Sequence, residues 1–150
     1  VIEKYGTYDI VYVAKDAQNK TTTLIVHVSV KDTNPPTIEL LGSLKANYAL
    51  NDVVTIPDYR VTDGETSGYI LDVILQTPNG EFLCLLRDNS LDINNPKVQY
   101  FLEDEFIYPS SFAVSKNAFR VTTSGQYILR FVAYDSQYNK CVIAVPFTVK

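Results

Sequence analysis

Hydrophobic and polar residues alternate most clearly near the two ends of the chain. Between Tyr8 and Ala14 every second position holds, in order, an aromatic, an aliphatic, an aromatic and a small residue, and the same order recurs between Tyr127 and Ala133. A period of two residues puts such positions on one face of a β-strand. We therefore expect a strand in each stretch, with this shared set of side chains facing a packed core.

Both strands belong to a longer duplicated segment. Residues Gly6–Asp16 return as Gly125–Asp135, and the match continues without a gap through a polar turn and a returning strand, Thr23–Val30 in one copy and Cys141–Val149 in the other. Asp and Asn favour such turns because their side chains bond the local backbone. A segment that recurs in register at a domain-sized spacing indicates tandem modules, and each copy predicts a β-hairpin.

A short linker separates the two copies. The sequence Lys31–Pro36 ends in two prolines, which cannot extend a hydrogen-bonded ladder and which stiffen the chain. We expect residues 1–34 to be a partial repeat, made of the last two strands and the Pro-Pro linker, and residues 35–150 to be a complete domain. An isolated hairpin is marginally stable in water, so residues 1–31 are expected to dock on another surface, with a dimer as one outcome.

The complete domain is expected to consist of short strands separated by turn residues. A hairpin is indicated at Pro78-Asn79-Gly80, and Ser111–Lys116 is expected to form a brief helical turn. No segment shows a sustained helical period, so the pattern predicts an all-β antiparallel sandwich of about seven to eight strands. The segments that supply candidate strands ahead of the closing hairpin are Thr37–Leu41, Asp52–Pro57, Tyr59–Val61, Ile70–Thr77, Phe82–Leu86, Val98–Leu102, Phe106–Tyr108 and Ala118–Val121.

Composition and charge exclude several classes of protein. The formal net charge is −4 and no basic run is present, which argues against nucleic-acid binding. No apolar stretch approaches the roughly 18 residues of a membrane span. His27 is the only histidine, and no glycine-rich phosphate loop or metal-binding cysteine spacing occurs. We therefore expect a noncatalytic protein without a cofactor or metal.

The duplicated segment resembles the immunoglobulin-like tandem repeats of bacterial surface proteins, including hyalin-repeat-like modules. The resemblance rests on the pattern Gly-x-Tyr-x-hydrophobic-x-aromatic-x-Ala-x-Asp, on a strand that ends in Val-Lys, and on the Asp32–Pro36 linker. It implies an immunoglobulin-like fold, an extracellular location at the cell surface or after secretion, and neighbouring modules of the same kind. The implied role is that of a spacer, with adhesion or binding of a protein or glycan ligand as a further role. The alternative is an accessory carbohydrate-binding module of a secreted enzyme.

The surface of the sandwich supplies a candidate protein-binding face. If Leu71, Val73 and Leu75 point inward, their neighbours point outward, and the same holds for the neighbours of Leu129 and Phe131. Those two strands share a sheet in a sandwich, so their outward residues should form one patch. The expected face consists of Ile70, Ile74, Ile128, Arg130, Val132 and Tyr134. Exposed tyrosines that a glycan would use are Tyr48, Tyr59, Tyr69, Tyr100 and Tyr108.

Two tyrosines are expected to have a structural role. Tyr8 and Tyr127 each stand two residues after a glycine at the start of the penultimate strand. A tyrosine at this place in a sandwich can bury its ring and bond its hydroxyl to nearby backbone. The alternative is a tyrosine that packs only with its ring.

The sequence leaves two further questions open. Cys84 and Cys141 form a disulfide only if their Cα atoms lie within about 7 Å, and the alternative is a buried thiol at Cys141. Calcium at the junction would draw on Asp16, Asp32, Asn34 and Asp63, because this ion takes about 6–8 oxygen ligands. The alternative for those residues is a solvated turn ahead of the prolines.

Overall fold

The computed structural model describes residues 2, 4–64, 68–91 and 113–150. The chain divides into two compact units, Val1–Thr33 and Asn34–Lys150. The described residues form strands and turns without a helix. Among them, no helix is long and apolar enough to span a membrane.

Unit 1 is a two-stranded antiparallel hairpin of β1, Gly6–Lys15, and β2, Thr21–Val30. The cross-strand pairs run from Gly6 with Val30 to Lys15 with Thr21. The turn between the strands contains Asn19 in the left-handed region, with φ at 64°. This conformation is one that Asn tolerates better than most residues.

Unit 2 is an immunoglobulin-like β-sandwich whose described strand pairs are antiparallel, except that β4 pairs with β12 in parallel. Its first layer is a five-stranded sheet in the order β4-β12-β11-β7-β8. The second layer is made of a three-stranded sheet, β5-β10-β9, and a separate pair, β3-β6. The strands are β3 Thr37–Leu40, β4 Asn47–Tyr48, β5 Val53–Thr55, β6 Tyr59–Thr62, β7 Ile70–Gln76, β8 Phe82–Asn89, β9 Ala113–Ser115, β10 Ala118–Arg120, β11 Gly125–Tyr134 and β12 Lys140–Val149.

The core of unit 2 lies between these layers. Tyr127, Leu129, Phe131 and Ala133 of β11 are at most 1% exposed, as the alternation predicts. The ring of Tyr127 stacks on Phe147 with the centroids 5.2 Å apart and the planes nearly parallel. Each large side chain buried in this way contributes about 1.5–3 kcal/mol. Residues of the second layer that close the core are Ile38, Val54, Ile56, Phe119 and Val121.

Most predicted strands of unit 2 agree with the structure to within a few residues, and the differences have simple causes. Strand β8 continues to Asn89, three residues beyond the predicted end at Leu86. The helical turn predicted at Ser111–Lys116 is wrong for Ala113–Ser115, which pairs with β10 as strand β9. Strands β4 and β9 have two and three residues, too few to show a period. The strands predicted at Val98–Leu102 and Phe106–Tyr108 lie outside the described residues.

Cys84 and Cys141 are not joined by a disulfide. Cys84 pairs with Ile74, whose side chain lies on the outer face of the five-stranded sheet. Cys141 pairs with Ala133, whose side chain lies in the core. Because directly paired residues share a face, the two sulfur atoms are on opposite sides of the sheet.

Candidate functional site

The predicted binding face lies on the outer side of the five-stranded sheet, but much of it is covered. The register pairs Tyr134 with Ile70 and Arg130 with Ile74, so β11 and β7 do contribute neighbouring residues to this side. Ile70 and Val132 are buried, at 1% and 6% exposure, and therefore offer no surface to a partner. The other four, Ile74, Ile128, Arg130 and Tyr134, are half-buried.

An ion pair at the middle of this outer side explains part of the burial. Asp72, the cross-strand neighbour of Val132, receives two hydrogen bonds from the guanidinium of Arg87, at 2.6 and 2.8 Å. Both side chains are close to fully buried. Arg130 donates to the side-chain oxygen of Gln76 and lies over the ring of Phe82. The face consists largely of side chains that bind one another, and its role in protein binding stays a prediction.

Tyr127 and Tyr8 make equivalent hydrogen bonds in their two hairpins. The hydroxyl of Tyr127 donates to the carbonyl oxygen of Thr123 at 3.0 Å. The hydroxyl of Tyr8 donates to the carbonyl oxygen of Lys4 at 2.6 Å. Both acceptors lie four residues before the tyrosine, so the same corner is built twice.

The turns of the two hairpins also agree in detail. Asp135 Oδ1 accepts the backbone N–H groups of Gln137 and Asn139, at 2.7 and 2.9 Å. Asp16 Oδ1 accepts those of Gln18 and Lys20, at 2.8 and 2.9 Å. These aspartates organise their turns through bonds to the charged form of the carboxylate.

Two acidic residues of unit 2 bear on the calcium hypothesis. Asp63 and Asp135 bring carboxylate oxygens within 4.8 Å of one another. Both oxygens of Asp135, however, accept hydrogen bonds within the turn, Oδ2 from the Asn139 side chain at 2.7 Å. Calcium binding at the junction stays a prediction.

His27 has an ordinary environment for a surface histidine. Its Nδ1 lies 2.6 Å from Asp9 Oδ1 across the β1–β2 ladder, and both side chains are exposed. Nothing in this arrangement provides a nucleophile for the histidine to activate.

A groove opens where the second layer of unit 2 is interrupted. The N–H of Ile56 donates to the Asn117 carbonyl at 2.8 Å, next to the β5–β10 pair. The carbonyl of Asp58 accepts the Leu41 N–H at 2.7 Å, next to the β3–β6 pair. Pro57 stands between these bonds and has no N–H to donate, so the chain passes from one sheet to the other there. The groove has a volume of about 680 Å³ and is lined by Leu41, Ile56, Pro57, Asp58, Tyr59, Leu86, Lys116 and Asn117.

Tyr59, which lines this groove, belongs to a cluster of one carboxylate and two phenols. The hydroxyls of Tyr59 and Tyr69 donate to Asp88 Oδ2 over long distances of 3.5 and 3.4 Å. The ring of Tyr59 packs edge-on against Phe131, which fixes its position. Burial, together with the charge of Asp88, raises the pKa of Tyr59 to about 12 and also raises the pKa of Tyr69. Both phenols are therefore neutral hydrogen-bond donors at physiological pH.

Sequence reasoning identified the tyrosines but missed Asp88. Strict alternation along β8 from the inward-facing Leu83 would put residue 88 on the outer side of the sheet. The register shifts between Val73 and Ile74, and Leu85 is the extra residue of the resulting bulge. This shift pairs Asp88 with the inward-facing Leu71 and turns the carboxylate toward Tyr59. Of the other predicted tyrosines, Tyr48 is half-buried, and Tyr100 and Tyr108 lie outside the described residues.

Comparison with known proteins gives a likeness to solved structures. No family model matches the chain, and none of the curated proteins matches it. Among solved structures, the chain is similar to one described as structures of Clostridium thermocellum CbhA fibronectin(III)-like modules, with a TM-score of 0.47 and 16% sequence identity. The match covers 97% of this chain and 63% of that one, so this chain spans less than two thirds of the length of the structure it resembles.

Proposed function

We propose that the chain is a noncatalytic, extracellular part of a bacterial surface or secreted protein built from tandem immunoglobulin-like modules, and that these modules act as spacers. In this proposal unit 2 is one module. The hairpin of unit 1 is the closing hairpin of a second module of the same kind.

The observation that carries the proposal is that the two hairpins pair their strands in the same register. Gly6 pairs with Val30 and Gly125 pairs with Val149, and the same offset holds along both ladders. The corner tyrosines and the turn aspartates repeat this agreement. Two hairpins that agree at the corner, the ladder and the turn are expected to close the same kind of sandwich.

The equivalent side chains of the two hairpins differ in burial, and this difference indicates which face of unit 1 requires a covering layer. Phe131 is 0% exposed, whereas Tyr12, its equivalent, is 56% exposed. Leu24 on β2 is 60% exposed. The face that the strands of Asn34–Arg120 cover in unit 2 is open in unit 1. Strands equivalent to those of unit 2 would cover it and stabilise the hairpin, since a lone hairpin is marginal in water.

A fusion protein tests this proposal. A second copy of residues 34–124 is placed directly before Gly6, which is the equivalent of Gly125; we call this protein the tandem fusion. Tetranitromethane nitrates exposed tyrosines, and peptide mass spectrometry measures the extent at each one. We expect Tyr12 to be nitrated in the 150-residue chain and protected in the tandem fusion.

The matched control carries Val54→Asp in the added copy only, which places a charge in its core and should restore nitration of Tyr12. Equal nitration of Tyr12 in the chain and the tandem fusion would reject the proposal. If Tyr12 becomes protected in the 150-residue chain as its concentration rises, the partner of unit 1 is a second copy instead.

Carbohydrate binding is a second candidate function, favoured by the groove beside Tyr59 and Asp88. Its test is a glycan array probed with the 150-residue chain. Retention of no glycan would remove this candidate and would leave the spacer proposal untouched.

A further inference from the structure

We infer that the groove of unit 2 binds a short segment of a neutral oligosaccharide and that Asp88 and Tyr59 contribute to its specificity. This inference rests on the second candidate function, since it assigns that function a site and a ligand class. A groove of about 680 Å³ is within the usual range for small-ligand sites.

The lining of the groove combines apolar and polar groups in the manner of a ligand site. Ile56, Leu86 and Leu41 contribute apolar groups to the lining, and Leu41 is 55% exposed. Lys116 and Asn117 contribute polar groups to the same lining. A sugar ring presents both C–H groups and hydroxyls, so it matches a site of mixed character.

The charges at the site favour a neutral ligand. Among the described residues, Asp58 and Lys116 line the groove with opposite charges, and Asp88, which contacts the lining residue Tyr59, adds a second negative charge. This excess of negative charge would repel an anionic ligand. The raised pKa of Tyr59 keeps its phenol neutral, so the phenol adds no further charge. The hydroxyls of a neutral sugar can donate to a carboxylate and accept from an ammonium group.

Asp88 is arranged to accept such a hydroxyl. Both tyrosine bonds go to Oδ2, and Oδ1 receives no hydrogen bond from the residues that the structure describes. Because both phenols contact Oδ2, Oδ1 is the oxygen that we assign to the ligand. Hydrogen bonds to a charged acceptor are stronger than neutral ones, so this oxygen is expected to discriminate among ligands.

The backbone around the groove argues against an extended peptide as the ligand. A peptide that adds a strand needs unpaired N–H and C=O groups along an edge. The N–H groups of Leu41 and Ile56 already donate to Asp58 and Asn117. Recognition here is therefore by side chains, which suits a sugar better than a strand.

The test uses the 150-residue chain with neutral tetrasaccharides of glucose, mannose, galactose, xylose and N-acetylglucosamine, and with a uronic acid tetrasaccharide as the charged comparison. Calorimetric titration at millimolar concentration measures affinity. We expect at least one neutral tetrasaccharide to bind and the charged one to bind more weakly. In Asp88→Asn and Tyr59→Phe we expect a loss of about tenfold or more in affinity.

The matched control is Tyr48→Phe, which removes a phenol hydroxyl away from the groove, where it accepts the N–H of Lys45. It should bind as the unchanged chain does. If neutral glycans bind but Asp88→Asn and Tyr59→Phe, both shown to be folded by their amide spectra, bind equally well, this inference is wrong and the second function survives. If no glycan binds, or only the uronic acid does, the inference fails. Binding of an extended peptide that these two variants weaken would also overturn it.

Discussion

The hydroxyl of Tyr127 donates a hydrogen bond to the carbonyl oxygen of Thr123 at 3.0 Å, and the N–H of Thr123 approaches the same hydroxyl at 3.3 Å. Tyr127 is 1% exposed and Thr123 is half-buried, so water has less access to these bonds than to a bond at an exposed residue. Tyr8 repeats the first of these bonds with Lys4, but its ring is half-buried. Comparing Tyr127 with Tyr8 therefore separates the effect of the hydrogen bond on stability from the effect of burying it.

Tyr127→Phe should lower the free energy of unfolding of unit 2 by about 1–2 kcal/mol, because the partly buried backbone groups of Thr123 lose their partner. Urea denaturation followed by circular dichroism measures the change. Tyr8→Phe is the matched control and should cost less, since water replaces the lost bond at a half-exposed ring. An unchanged urea midpoint for Tyr127→Phe would mean that the hydroxyl has no structural role.

Asp135→Ala should destabilise unit 2 by about 3 kcal/mol, because a fully buried carboxylate gives up three hydrogen bonds within its turn. Asp16→Ala removes the corresponding turn bonds at an exposed site and should cost about 1 kcal/mol or less. Thermal unfolding of both variants provides the comparison. Equal costs would show that burial of the turn contributes nothing.

Gly125→Ala should destabilise unit 2 by at least about 2 kcal/mol. Gly125 has φ at 135°, and a Cβ there would lie 2.7 Å from Pro78 Cβ. Gly6→Ala is the control, because Gly6 has a similar φ of 150° but no atom nearer than 3.9 Å to an added Cβ. Urea midpoints that shift equally in the two variants would assign the cost to backbone strain alone.

Asp72→Ala should cost about 3–5 kcal/mol, because the almost buried guanidinium of Arg87 loses its paired carboxylate. Replacing both partners by Asp72→Val and Arg87→Met should recover most of that loss. Glu39→Ala breaks an exposed pair with Arg60 and should change stability by less than about 1 kcal/mol. A small effect of Asp72→Ala in urea denaturation would show that this side of the sheet is well hydrated.

Alkaline pH should weaken unit 2 through Tyr59. Its pKa is raised from 10.0 to about 12 in the folded protein, so the folded state holds this proton longer than the unfolded chain does. The resulting stabilisation is fully present below pH 10 and is lost as pH rises from 10 through 12. The difference in unfolding free energy between the chain and Tyr59→Phe should therefore change across this window and stay constant below it. A difference that is constant throughout would contradict the assigned environment of Tyr59.

The closing hairpin was predictable from the sequence because its strands are ten residues long and the core-facing residues of β11 stand at every second position. The groove could not be predicted, because it depends on three local features that produce no periodic pattern in the sequence. The chain changes sheets at Pro57, Leu85 forms a bulge that turns Asp88 inward, and the Lys116–Asn117 turn reaches the groove from a distant part of the sequence.

The burial of Ile70 and Val132 could not be predicted for a related reason. Alternation separates the two sides of a sheet but does not reveal what covers each side.

Amide hydrogen exchange at the open edge of β1 tests the central claim most directly. Strand β11 pairs with β12 on one edge and with β7 on the other, whereas among the described strands β1 pairs with β2 only. In the tandem fusion, the copy of β7 in the added module should pair with the free side of β1. The exchange rates of the β1 amides that do not bond β2 should then fall to those of the β11 amides that bond β7. If these amides exchange as fast in the tandem fusion as in the 150-residue chain, the hairpin of unit 1 is not the closing hairpin of a module like unit 2.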